Sequence, residues 1–189
     1  KMDSKNKNIL IGGLVAIVLV MAVGYAAFAT QLNINGTASI TSTWNVGFDT
    51  SKTGGTGVVD ATTGTGGTTA PTGEVSYTNA QNASISADLT QPGDKVVFTL
   101  TIKNTGTLNA TLATPVISST DDDVDIQGLT ATKGNIKFTV TSPASTSLVA
   151  NTGTTTMTVT AEFVDNTVSS SAKETASIDV LINATQATS

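Results

Sequence analysis

Apolar residues recur at every second position through most of this chain, and a period of two is the mark of strands that bury one face. The longest run occupies the even positions Leu32, Ile34, Gly36, Ala38, Ile40, Ser42, Trp44, Val46 and Phe48, with Asn, Ser or Thr at most positions between. The pattern returns at Val75-Tyr77, at Ala83-Ile85-Ala87-Leu89 and at Val96-Phe98-Leu100-Ile102. Further runs are Leu108 to Ile117, Ile136-Phe138-Val140, Met157-Val159-Ala161-Phe163 and Ala176-Ile178-Val180-Ile182.

Turn residues separate these runs. In Gln91-Pro92-Gly93-Asp94, Pro presets φ and Gly accepts a positive one, which predicts a type II turn. Asn104-Thr105-Gly106-Thr107 closes the strand that follows. Residues 50–73 are rich in Gly and Thr and read as a flexible surface loop, unusually long for a compact domain and so either an exposed insertion or a partly ordered excursion. Eight or nine strands with such turns predict an all-β sandwich, either a jelly roll or an immunoglobulin-like arrangement. The alternation places Trp44, the single tryptophan, in the core.

The run from residue 32 to residue 48 is too long for an ordinary strand. At about 3.3 Å per residue it would extend about 56 Å, whereas strands average five or six residues. Either Asn35-Gly36 is a turn, or residues 41–43 bend, and the run is two strands. Otherwise residues 30–40 leave their own subunit and pair with another, while residues 43–49 stay in the home sheet.

Residues 9–29 carry no charge and follow a head containing Lys1, Lys5 and Lys7, the layout of an export signal. Twenty-one helical residues at about 1.5 Å each also match the roughly 30 Å hydrocarbon layer, so the same segment could be a retained anchor or filament-core helix. Small residues allow cleavage between Ala26 and Ala27, or between Ala29 and Thr30. The expected organisation is an apolar helix over residues 1–26, an N-terminal strand segment over 27–41 and a sandwich over 42–189. The expected location is secreted, at the cell surface.

Composition removes several function classes. Cys, His and Arg are absent, which excludes disulfides, thiol nucleophiles, His-based zinc sites and an imidazole base. Past residue 26 the chain has six Lys against thirteen Asp plus Glu, so it lacks the positive surface that nucleic acid requires. Ser and Thr make up 54 of the 189 residues, so hydroxyls rather than ions meet the solvent. No catalytic constellation and no cofactor motif is present, and the chain reads as non-enzymatic.

The stretch DLTQPGDKVVFTLTIKNTGTLNATL, residues 88–112, together with the leader and the Ala27-Phe28 start, resembles the TasA/camelysin family of exported fibre proteins. The match covers residues 27–48 and 84–112, well under half the chain, and residues 91–106 also resemble immunoglobulin-like surface modules. The resemblance implies a jelly-roll subunit that polymerises by donor-strand complementation. Leu32, Ile34, Ala38 and Ile40 would be the side chains inserted into the next copy, making the chain its own partner. Two alternatives are a monomeric surface module held to the membrane by its N-terminal helix, and a pilin-like subunit that keeps this helix in a filament core. The insertion at 50–73 has no counterpart in the family pattern. Some family members have been described as metalloproteases, but a chain without His has no zinc motif of that kind.

Asp121, Asp122, Asp123 and Asp125 form the one acidic cluster and are the candidate calcium ligands, although the spacing of an EF-hand is missing. Asn-x-Ser/Thr triplets begin at Asn35, Asn82, Asn109 and Asn183. Composition alone predicts about that number, so their count is uninformative.

Overall fold

The computed structural model describes residues 6, 8, 11–19, 21, 42–52, 59–164 and 173–187, and every structural statement below concerns those residues. The chain divides into two compact units, Lys1–Ile40 and Thr41–Ser189.

In the first unit, residues 11–19 are helical. Ile11, Leu14, Val15, Ile17, Val18 and Leu19 are all more than half exposed. Among the described residues no helix is long and apolar enough to cross a membrane. The cleavage positions Ala26, Ala27, Ala29 and Thr30 lie outside the described residues. So do the strand positions Leu32, Ile34, Ala38 and Ile40, the Asn35-Gly36 turn, and residues 53–58 of the Gly/Thr stretch.

The second unit is all-β, with antiparallel sheets. Its strands are β1 (Val46–Phe48), β2 (Val59–Thr62), β3 (Thr72–Asn79), β4 (Asn82–Leu89), β5 (Lys95–Asn104), β6 (Ala110–Leu112) and β7 (Val116–Ser118). They continue with β8 (Asp125–Gln127), β9 (Thr130–Lys133), β10 (Ile136–Val140), β11 (Ser147–Leu148), β12 (Gly153–Phe163), β13 (Glu174–Leu181) and β14 (Ala184–Gln186). Fourteen strands exceed the eight or nine expected from periodicity. The excess consists of segments of two to four residues, too short to show a repeat.

A seven-stranded sheet runs β1-β5-β12-β10-β9-β8, with β2 also pairing β5. A four-stranded sheet runs β3-β4-β13-β7, and a three-stranded one β11-β6-β14. The pairing is nested: β8 with β9, β6 with β11, β5 with β12 and β4 with β13. The alternation Val96-Phe98-Leu100-Ile102 buries completely on one side of β5, and Met157-Val159-Ala161-Phe163 does so on β12. Ala83, Ile85, Ala87 and Leu89 from β4 and Ile178 and Val180 from β13 join them in one continuous core. Each fully buried Phe, Ile or Leu there contributes about 1.5–3 kcal/mol.

Three expectations change. Trp44 is 45 % exposed rather than in the core. The ladder of β1 with β5 ends at Val46 opposite Asn104, so Trp44 lies past the last sheet position and has no strand beside it. The stretch 50–73 is not loop throughout, because β2 pairs with β5 from Val59 opposite Phe98 to Thr62 opposite Lys95. The expected strand at 108–117 is two strands in different sheets, β6 and β7. Pro115, which lacks an N–H for any ladder, stands at the crossing.

The predicted type II turn is present. Asp94 N–H donates to Gln91 O at 3.1 Å, and Gly93 has φ +86°. Asp94 is fully buried. Its Oδ1 accepts from Gly64 N–H at 2.8 Å, and its Oδ2 from the N–H groups of Thr90 and Gln91 and from Thr90 Oγ1. Gln91 Nε2 donates to Gly64 O at 3.0 Å, so one turn clasps the chain leaving β2.

Candidate strand-acceptor edge

The two larger sheets meet differently on their two sides. On one side they are drawn together. Phe48 N–H donates to Ala80 O at 2.6 Å, and Gln81 Nε2 to Val46 O at 3.1 Å, tying β1 to the β3–β4 hairpin. Gly73 on β3 approaches β5 so closely that a Cβ would lie 2.5 Å from the Phe98 ring and 2.7 Å from Val96.

The other side is bounded by β7 and β8, each the last strand of its sheet among the described residues. Val96, Ala161, Phe138, Ala131 and Ile126 are successive cross-strand partners from β5 to β8, so all five point to the core side of the seven-stranded sheet. The first four are sealed, at 0 to 1 % exposure, while Ile126 is 37 % exposed. The facing sheet ends at β7, and no described strand lies over Ile126. β7, the last strand of the facing sheet, has no described strand paired to its outer edge; Ile117 is buried, and Val116, on the other face of the strand, is 48 % exposed. An edge with unpaired N–H and C=O groups next to uncovered apolar surface is a template for one more strand.

The segment joining β7 to β8 is anchored by side chains. Ser119 Oγ donates to Ser177 O at 3.3 Å and accepts from Asp121 N–H at 3.0 Å. Lys133 pairs with Asp121 and, as its main cause, holds that carboxyl below the usual carboxylate range. Asp121 also accepts from Asp123 N–H, and Asp125 accepts from Gln127 Nε2 at 2.9 Å. Asp121, Asp123 and Asp125 therefore take part in bonds within an edge connection. Among the described residues, no three Asp, Glu, His or Cys side chains stand where they could hold a metal ion.

The point where the chain enters β1 is also fixed. Thr107 N–H donates to Thr43 O, and Thr43 N–H donates to Thr107 Oγ1, both at 2.9 Å. Thr105 and Gly106 both donate to Asn45 O. Asn104, buried at the turn, donates to Leu108 O and Leu148 O and accepts from Gly106 N–H, so the predicted turn is the dock for residues 43–45. Asp49, just past β1, pairs with Lys103 at 2.8 Å and with Ser51 Oγ at 2.7 Å. These two partners, Lys103 foremost, hold its carboxyl down to about 2.

Sequence reading missed Ile126 and the β7 edge because three-residue strands carry no readable period. The only signal was an isolated Ile between polar neighbours. The chain matches no family model, no curated protein and no solved structure.

Proposed function

We propose that this chain is a non-enzymatic structural subunit of an extracellular filament, in which residues 27–41 of one copy add a strand beside β7 of the next. The observation that carries the reading is Ile126, which faces the core side of its sheet and has no described strand over it. The nested pairing favours the jelly-roll form of the sandwich, in which a long double-stranded ribbon wraps into two sheets. The resemblance to TasA-like fibre proteins points the same way.

An added strand satisfies the β7 backbone, and one face of Leu32, Ile34, Ala38 and Ile40 supplies apolar cover. Burying the Leu and Ile side chains contributes about 1.5–3 kcal/mol each. That offsets part of the roughly 1–2 kcal/mol per residue needed to order the strand, and ladder hydrogen bonds add to it. Head-to-tail pairing of this kind does not close on itself and generates a filament.

A synthetic peptide of residues 30–41 titrated into residues 42–189 tests the pairing. The reading expects saturable binding with amide shifts centred on Val116, Ile117 and Ser118. Shifts centred elsewhere, or none at millimolar peptide, contradict it. The exposed apolar helix at residues 11–19 favours a second reading, a monomeric module anchored in a membrane. Light scattering separates the two, since a monomer that never grows in mass supports the second.

A further inference from the structure

The three-stranded sheet carries a feature that strand addition does not use. The sequence Asn109-Ala110-Thr111-Leu112-Ala113-Thr114 is repeated, with one change, as Asn183-Ala184-Thr185-Gln186-Ala187-Thr188. The register of β6 with β14 sets Thr111 directly opposite Thr185. Beyond the ladder, Ala187 N–H donates to Asn109 O and Ala113 N–H donates to Asn183 O, both at 2.9 Å. Each asparagine shares a strand face with its own threonine, two residues on. The opposite face of β6, Ala110 and Leu112, is buried in the core. Asn109, Thr111, Asn183 and Thr185 therefore stand together on the outward face, and all four are exposed.

The amide nitrogens are available. Among the described residues Asn183 has no side-chain hydrogen bond, and Asn109 uses only its Oδ1, which accepts from Ala150 N–H at 2.8 Å. The two asparagines lie four strand positions apart, or about 14 Å, room for two substituents side by side. The third described triplet differs: Asn82 opens β4, is only partly exposed, and its Oδ1 is buried without a partner.

We infer that Asn109 and Asn183 are a paired acceptor site for N-linked oligosaccharide, and that Asn82 is not an acceptor. The inference rests on the extracellular reading above. The donor is an oligosaccharide on a polyprenyl phosphate or pyrophosphate carrier. The Asn Nδ2 loses a proton and bonds to the sugar C1, while the C1–O bond to phosphate breaks and the carrier leaves with the electron pair. The threonine two residues on is the second element that the transferase reads.

The test expresses the full chain behind the leader of a reporter protein that the same cells N-glycosylate, followed by intact mass and glycopeptide mapping. The borrowed leader carries the chain to the transferase whatever residues 9–29 do as a signal, and glycan is read by mass rather than by assembly, so failure here and failure of the filament reading are separate outcomes. Glycan is expected on Asn109 and Asn183 and not on Asn82. N109Q and N183Q should each lose one glycan mass, as should T111V and T185V, which keep the asparagines. Secreted chain bare at both positions beside a modified reporter overturns the inference, and so does glycan on Asn82.

Discussion

Ile126 stands directly across from Ala131 on the core side of the seven-stranded sheet, yet Ala131 is sealed and Ile126 is 37 % exposed. The difference marks where the facing sheet stops. Ile126→Lys should leave the subunit folded, with a change in urea unfolding free energy within about 0.5 kcal/mol, as for most exposed positions. Assembly is expected to fail, because a charge would sit beneath the incoming strand. A stable I126K subunit that polymerises like the parent would separate β8 from the acceptor edge.

Asp94 is the centre of the clasp on the chain leaving β2. Asp94→Ala strands the N–H groups of Gly64, Thr90 and Gln91 in buried surroundings and should cost about 2–4 kcal/mol. Hydrogen exchange gives the local readout: the amides of β2 should lose protection before those of β12. Equal loss in both would mean that the carboxylate supports the whole fold rather than this clasp.

Gly106 sits under the entering chain, where a Cβ would lie 2.5 Å from Thr43 O and 2.7 Å from Asn45 N. Gly106→Ala should therefore detach residues 43–45 at a cost of about 1–3 kcal/mol. Trp44 is the single tryptophan, so its fluorescence reads the detachment without labels. Emission should move to the red in G106A, and unchanged emission would show that the dock tolerates the methyl.

The Asp49–Lys103 pair gives a pH dependence with a definite sign. The folded carboxyl titrates at about 2, below the roughly 3.9 of an unfolded Asp. Its contribution is thus fully present above pH about 4 and is lost as pH falls toward 2. Asp88, lowered chiefly by Lys173 and then by Thr175, contributes with the same sign, its stabilisation fading as pH falls below the unfolded Asp value. In Lys103→Met the decline of the urea midpoint between pH 4 and pH 2 should be shallower than in the parent. A parallel decline would mean that the pair is screened by solvent.

The long strands were legible because their alternation is written in large side chains: Phe98 and Leu100 on β5, Met157 and Val159 on β12, Ile85 and Leu89 on β4. Gly93 was legible for a different reason, since a type II turn needs positive φ at that position. What the sequence hid was decided by distant partners. Val59 reads as loop until Phe98 is placed beside it, and Trp44 reads as core until the ladder ends at Val46. Ile126 is an apolar residue on a core-facing side, as alternation would have it. Its exposure depends on how many strands the opposite sheet has, and no local pattern encodes that number.

The central claim is that residues 27–41 join one subunit to the next. Electron microscopy of residues 27–189 beside a chain lacking 27–41, both checked for folding by circular dichroism, tests it most directly. Fibres from the first and only folded monomers from the second are the predicted result. Fibres from both, or a folded first chain that never forms them, would contradict it.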